Sequence, residues 1–335
     1  MPLLYVNLNS ICPDKVPIAF LEKLKKEFHK NVHKNLLLTL ELVKIMKLLE
    51  KNHIKAVTYK GPVLTHSVYG NIAYRQFGDI DILTDKEGAL KAKDIMIAEG
   101  YKLYPLIKVD DPTYMELESE FIFINKENGV KVEINWNFEG KFFNFADKPK
   151  FLFEDLKEFD INGHKINSFS SPNQLLMLSI HAAKHNWTLL YWICDISHFT
   201  QFEDIDWIQI MEKAEKLGVI RILMINLFLA RDLFGLKLPK EILNYTDSSL
   251  LSILIQIKKR ILHDRKNSLN IAEKFFLDLT KREKMSYGVR DCLKGLTHPS
   301  YNDFKDLPLP KRLFFIYSFI RPILLFKRYG TNRIY

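Results

Sequence analysis

Asp79 and Asp81 stand one residue apart in the run from Arg75 to Leu83, Arg-Gln-Phe-Gly-Asp-Ile-Asp-Ile-Leu. Ile80, Ile82 and Leu83 give this segment the pattern of a short buried strand, and strand side chains alternate between faces. Both carboxylates then leave one face while Ile80 and Ile82 leave the other. Carboxylates held that close repel each other unless a cation or a proton lies between them. Mg²⁺, which takes one or two carboxylates together with substrate phosphates, answers that need.

Three more pieces of chemistry accompany the pair. In Val130-Lys-Val-Glu-Ile-Asn-Trp136, Lys131, Glu133 and Asn135 share one face, and Val132, Ile134 and Trp136 share the other. If this strand lies beside the Asp79 strand, Glu133 is a third carboxylate at the same cation. On a half-solvated strand it is only a surface acid. Lys60-Gly61-Pro62 ends one strand and opens a helix. Glycine lets backbone approach a ligand, a helix N-terminus attracts phosphate, and Lys60 adds a point charge. An ordinary strand-to-helix turn is the other reading. Arg75 is placed either to hold a phosphate or to pair with Asp79.

The elements that must position these groups form two regions. Residues 1–170 read as N-terminal helices followed by an α/β unit. Leu36, Leu40, Val43, Met46 and Leu49 recur at helical spacing. Strands are expected at Ala56–Tyr59, Asp79–Leu83, Tyr101–Ile107, Glu120–Asn125 and Val130–Trp136. Helices are expected from Pro62 toward Tyr69 and over Lys86–Glu99, the latter closed by Gly100. Asn128-Gly129 and Asn162-Gly163 are hairpin turn signals. Ser171-Pro172 opens the second region, 171–335, with Ser171 as a helix cap. That region is helical: Asn173–Asn186, Leu190–Gln201, Trp207–Leu217, Val219–Phe234, Ser248–Asp264, Leu269–Thr280 and Pro310–Phe326. There are no internal repeats.

Composition limits the function classes. The 335 residues are 47% hydrophobic and 27% charged, ordinary for a globular protein. Three scattered cysteines (Cys12, Cys194 and Cys292) argue against a disulfide framework or a cysteine zinc site and fit a reducing, cytoplasmic setting. The N-terminus lacks the pattern of a secretory signal, and no apolar run has the length of a membrane span. The net charge of +9 suits polyanionic partners, whether nucleotide, nucleic acid or an anionic membrane. Lys-rich helix faces such as Glu22–Glu27 account for much of it. Residues 308–335 mix apolar residues with Lys311, Arg312, Arg321, Lys327, Arg328 and Arg333, a pattern compatible with peripheral membrane contact or with a helix docked on its own domain.

In order, these pieces resemble the nucleotidyltransferase superfamily that includes DNA polymerase beta. Within it the chain is most similar to the uncharacterised bacterial nucleotidyltransferase family. The resemblance is carried by Lys60-Gly61, Arg75, Asp79-Ile-Asp-Ile-Leu83, Gly100-Tyr101 and Glu133-Ile-Asn-Trp136. Ser171-Pro172, His181-Ala-Ala-Lys-His185 and Trp192-Ile-Cys-Asp195-Ile196 carry it on to about residue 235. Two positions depart from the pattern. The superfamily's Gly-Ser or Gly-Gly turn is Gly61-Pro62 here, which removes one N–H donor. The histidine usual before the tryptophan is Asn135, whose amide does not titrate.

The resemblance implies an α+β fold, a polymerase beta-like mixed sheet with flanking helices, followed by an all-α C-terminal region. It implies Mg²⁺-dependent transfer of a nucleoside monophosphate from ATP or another NTP to an acceptor hydroxyl, with pyrophosphate released. Asp79, Asp81 and Glu133 would hold two Mg²⁺ ions, and Glu133 would also take the proton. Lys60, Gly61, Arg75 and Lys184 are the candidates for holding nucleotide. The acceptor is open: a small molecule, a glycan or lipid intermediate, a protein or RNA. A degenerate module that binds nucleotide or RNA without transfer is the alternative. His181 and His185 share a helix face. They lack a third zinc ligand in sequence and read first as packing residues.

Overall fold

The computed structural model describes residues 2–138, 143, 153–263, 269 and 271–329. The chain divides into two compact units. The first holds residues 1–107, 120–136 and 153–170, and the second holds 108–119, 137–152 and 171–335.

The first unit begins with α1 (Pro2–Ile11) and the long α2 (Ile18–Lys51). The helix over 36–49 expected from sequence lies within α2, and its expected apolar stripe holds at Met46 and Leu49, with Val43 half-buried, but not in the turn before them. Leu36 and Leu40 are exposed, while Leu38, Leu42, Ile45 and Leu49 are buried, with Asn31 and Asn35 continuing the buried stripe one turn at a time. Two buried amides in that stripe hid its phase from hydrophobic periodicity.

Five strands follow: β1 (Val57–Thr58), β2 (Ile80–Leu83), β3 (Tyr101–Tyr104), β4 (Glu120–Asn125) and β5 (Lys131–Asn135). They form one mixed sheet in the order β1-β2-β5-β4-β3. β2 and β5 run parallel, and the other neighbours run antiparallel. α3 (Gly61–Tyr69) and α4 (Lys86–Ala98) connect the first three strands. Asp85 caps α4 by accepting from the Gly88 amide. β3 stops at Tyr104 rather than Ile107 because Pro105 has no N–H to give a ladder. The Asn128-Gly129 turn joins β4 and β5, with Gly129 in the left-handed region. A second hairpin, β6 (Leu156–Ile161) and β7 (His164–Phe169), turns on Asn162 and Gly163, both at positive φ. The core of this unit gathers Leu42, Ile45, Ile80, Ile82, Phe121, Val132 and Ile134, all fully buried.

The second unit is helical: α5 (Asp111–Leu117), α6 (Ser171–Lys184), α7 (Leu190–Phe202), α8 (Trp207–Leu217), α9 (Ile220–Phe234), α10 (Lys240–Leu243), α11 (Ser248–His263), α12 (Ile271–Thr280), α13 (Met285–Thr297), α14 (Tyr301–Asp306) and α15 (Tyr317–Tyr329). Ser171 does not cap α6 from outside. It is the first helical residue, and its hydroxyl donates to Glu203 at 2.6 Å. α9 is its apolar centre, buried from Ile222 to Ala230. Asn226 within it accepts from the Trp187 indole at 2.9 Å, so the one polar side chain of that stretch is used. The expected C-terminal helix is a 3₁₀ turn (Lys311–Ile316) leading into α15. Asp264 and Arg333 lie outside the described residues. No helix among the described residues is long and apolar enough to cross a membrane.

Candidate active site

The site is assembled on β1, β2, β5 and the turns that enter them. The chain leaves β1 through Tyr59 and Lys60 and starts α3 at Gly61, whose φ of +55° is left-handed. A Cβ built on Gly61 would lie 3.5 Å from the Asp79 carbonyl oxygen, an ordinary contact. The backbone conformation, not lack of room, therefore asks for glycine. Thr65 Oγ1 donates to the Gly61 carbonyl at 2.8 Å. Pro62 follows inside the first turn of α3, where its fixed φ suits a helix start.

Between α3 and β2 the loop 70–78 is held by α2. Asn35 Nδ2 donates to the carbonyls of Ile72 (2.5 Å) and Arg75 (2.7 Å). Asn31 Nδ2 donates to those of Ala73 (3.0 Å) and Arg75 (3.3 Å). Two amides one helical turn apart thus fix the backbone that delivers Asp79. Arg75 itself is buried. Sequence reasoning passed over Asn31 and Asn35 because an asparagine in a long polar helix carries no local sign of a distant loop.

β2 and β5 then set the carboxylates. Asp81 is in register with Glu133 across the parallel pair, with Ile80 opposite Val132 and Ile82 opposite Ile134. Side chains of an in-register pair leave the same face, so Asp81 and Glu133 are neighbours. Asp79 comes directly before β2. Lys60 Nζ lies 3.3 Å from Asp81 Oδ1. Lys131 Nζ lies 2.5 Å from Glu133 Oε1 and 3.6 Å from Asp79 Oδ2. Lys60, Gly61, Asp79, Asp81 and Glu133 are therefore brought together, joined by Lys131. The alternation of β5 had already put Lys131 on the face of Glu133, but not among the carboxylates.

Three carboxylates face two ammonium groups, and the imbalance shows in their proton affinities. Burial, then the charges of Asp81 and Glu120, push Glu133 up to about 7 against the pull of Lys131. Burial, then Asp81, also raises Asp79, against Lys131 and Lys60. Burial acts to lower Lys131, but its hydrogen bond to Glu133 and the charges of Glu133 and Asp79 outweigh that and leave it raised. A site of this kind wants one more positive charge.

The donor set suits a hard cation: carboxylate oxygens only, with no thiol or imidazole beside them. As placed, no group of three or more His, Cys, Asp or Glu side chains among the described residues converges on one point. The two ammonium groups lie among the carboxylates instead. Asn135 is turned into the sheet, with Nδ2 3.4 Å from the Ile82 and Glu133 carbonyls.

In the second unit, Lys184 is the last residue of α6. The His181 and His185 rings are 4.8 Å apart, and both meet Trp192, His181 edge-on and His185 stacked at 5.0 Å. They form an aromatic cluster between α6 and α7.

A family model described as an uncharacterised nucleotidyltransferase matches residues 1–235. No curated protein matches the chain. Among solved structures, the chain is similar to the lincomycin-bound lincosamide antibiotic adenylyltransferase LnuA at 21% identity, over 49% of this chain and 96% of that one, with a TM-score of 0.34. It is also similar to an antigenic nucleotidyltransferase-like protein from Paracoccidioides brasiliensis at 13% identity, over 54% of this chain and 84% of that one, with a TM-score of 0.37. The family match spans well over half of the sequence, and by it the chain belongs to the uncharacterised nucleotidyltransferase family and is a nucleotidyltransferase.

Proposed function

We propose that the protein transfers a nucleoside monophosphate from an NTP to an acceptor hydroxyl, with Mg²⁺ and with release of pyrophosphate. The observation that carries this reading is the in-register pair Asp81 and Glu133, with Asp79 two residues before Asp81 and Lys60 and Lys131 between them. Mg²⁺ held by Asp79, Asp81 and Glu133 supplies charge neutralisation for the triphosphate and a lowered pKa for the acceptor hydroxyl. Asp79 and Asp81 serve as its ligands throughout. Glu133 orients the acceptor hydroxyl and takes its proton, a task suited to a carboxylate placed in register with Asp81 on the same face of the sheet. Lys60, 3.3 Å from Asp81 Oδ1, would be the ammonium that holds a phosphate oxygen of the NTP. The N-terminus of α3 offers amides to the same phosphates, less the one that Pro62 removes. Arg75 is a further contact for nucleotide. Three free cysteines and the need for NTP fit a cytoplasmic setting.

A binding module without transfer is the second reading, favoured by Pro62 and by the engagement of Lys60 with Asp81. Incubation with each α-labelled NTP and Mg²⁺, read as pyrophosphate release and label transfer to a panel of small hydroxyl compounds, RNA and the protein itself, separates the two. Turnover lost in Asp79→Ala and Asp81→Ala supports transfer at this site. Turnover that survives both substitutions overturns the assignment. Saturable nucleotide binding with no pyrophosphate from any NTP supports the binding module.

A further inference from the structure

An amphipathic helix ordinarily turns its apolar stripe to the core and its charges to water. α15 does the reverse. Arg321 Nε lies 3.1 Å from Asp303 Oδ2, and Arg328 Nη2 lies 3.2 Å from Asp303 Oδ1 and also pairs with Asp306. Asp303 is fully buried and closes a reciprocal cap with Ser300 at the start of α14. Tyr317, on the same inward face, is fully buried and donates its hydroxyl to the Leu307 carbonyl at 2.5 Å. The helix is anchored through Tyr317, Arg321 and Arg328. The opposite face carries Phe319 (75% exposed), Ile323 (68%) and Phe326 (72%), and Phe315 (63%), in the 3₁₀ turn four residues before Phe319, is exposed as well. α13, which packs against α15, leaves Leu293 and Leu296 exposed as well.

Four large apolar side chains held outward by a buried ionic anchor need a partner, and the charge around them selects it. Residues 307–335 contain six Lys and Arg and not one Asp or Glu, in a chain of net charge +9. Arg321 and Arg328 are held by Asp303 and Asp306, and Lys311 pairs with Glu116 at 2.6 Å, so Arg312 and Lys327 are the exposed charges at the two ends of the stripe. A second copy laid on this face would set Arg312 and Lys327 of one chain against the same residues of the other. An anionic bilayer surface takes the Phe and Ile side chains into its acyl boundary and neutralises the flanking charges with its headgroups. We infer that α15 and the 3₁₀ turn before it seat the protein on an anionic membrane surface through Phe315, Phe319, Ile323 and Phe326. The contact is peripheral, since no described helix is long and apolar enough to span.

The test uses the full chain and sedimented vesicles of phosphatidylcholine alone or with roughly one-third phosphatidylglycerol. Binding is expected to the anionic vesicles and not to the neutral ones. Phe319→Glu with Ile323→Glu is expected to reduce it more than about tenfold, with the melting temperature unchanged because both positions are exposed. Arg312→Glu with Lys327→Glu is expected to reduce it by at least roughly fivefold per charge. Equal binding to both vesicles, or unchanged binding of the Phe319/Ile323 variant, overturns the inference. So does a concentration-dependent dimer by light scattering that this variant dissolves, because the stripe is then the seat of a second copy.

Discussion

Lys131 holds Glu133 at 2.5 Å and reaches Asp79 at 3.6 Å, so one flexible ammonium on β5 links the two carboxylates that flank Asp81. It stands where a bound cation would have to act. Two positive groups cannot share that place at low cost, so on the proposed reading lysine and Mg²⁺ would compete for the same oxygens. Lys60 plays the matching part toward Asp81 at 3.3 Å.

Competition predicts opposite effects of one substitution with and without metal. Lys131→Met leaves Glu133 and Asp79 without their nearest counter-charge. The metal-free protein is expected to melt at lower temperature than wild type. Mg²⁺ is expected to raise the variant's melting temperature further, at a lower half-saturating concentration, than it raises the wild type's. A thermal-shift titration with Mg²⁺ decides. Equal half-saturation in the two proteins removes Lys131 from the cation's place.

The raised proton affinity of Glu133 gives stability a definite pH dependence. Folded, it titrates at about 7 against an ordinary value of 4.5. Between these values the folded chain binds more protons than the unfolded one, so its contribution to stability falls as pH rises through that window. Glu133→Gln abolishes the effect. Without metal, the variant is expected to gain on wild type from about pH 5 to about pH 8, by up to about 3 kcal/mol. Saturating Mg²⁺ is expected to cancel that gain in wild type, since the cation stabilises the ionised form. Parallel melting curves at every pH would contradict the burial of Glu133 as a charged group.

Loss of the proposed metal ligands is expected to separate catalysis from folding. Asp79→Ala and Asp81→Ala each remove a buried or half-buried negative charge from a site that has one too many. Nucleotidyl transfer is expected to fall by about a thousandfold or more, the scale of several kcal/mol of charge stabilisation at a metal. Metal-free stability is expected to hold or rise. Steady-state rates set beside melting temperatures check both halves.

Much of this arrangement was legible in the sequence. Strand alternation placed Asp79, Asp81 and Glu133, and Asn-Gly turns marked both hairpins, because each signal is local. The parallel pairing of β2 with β5 is not local. It joins residues more than fifty apart, and only the order of motifs pointed to it. The buried face of α2 was hidden because Asn31 and Asn35 interrupt the apolar stripe for the sake of the loop carbonyls. The inward charges of α15 ran against the usual reading of an amphipathic helix, since their acceptor Asp303 belongs to another helix.

The hold of α2 on the loop predicts a positioning effect at a distance from the chemistry. Asn35→Leu leaves the Ile72 carbonyl without its amide donor and the Arg75 carbonyl with only the longer bond from Asn31. The cost is expected at about 1–3 kcal/mol of stability. Because the loop delivers Asp79, kcat is expected to fall more than tenfold, the scale of a misplaced catalytic group. Asn35→Gln, which keeps the donor on a longer stem, is expected to recover part of the rate. An Asn35→Leu variant that loses stability but keeps full kcat would show that the loop holds its shape without α2.

Gly61 offers the cleanest separation of backbone from contact. Its φ is +55°, and a methyl group there would meet only an ordinary van der Waals contact, 3.5 Å from the Asp79 carbonyl oxygen. Gly61→Ala therefore pays for conformation alone, about 1–2 kcal/mol. Two responses are open to the chain. If it keeps the left-handed turn, stability falls by that amount while the affinity for NTP holds. If it relaxes the turn, Lys60 leaves its place beside Asp81, and nucleotide binding weakens with the same substitution. Thr65 Oγ1 bonds the Gly61 carbonyl and Pro62 fixes the next φ, so the turn is held from both sides. The first response is expected: a lower melting temperature with KM for NTP within about twofold of wild type, since the conformational cost falls on folding rather than on the bound state.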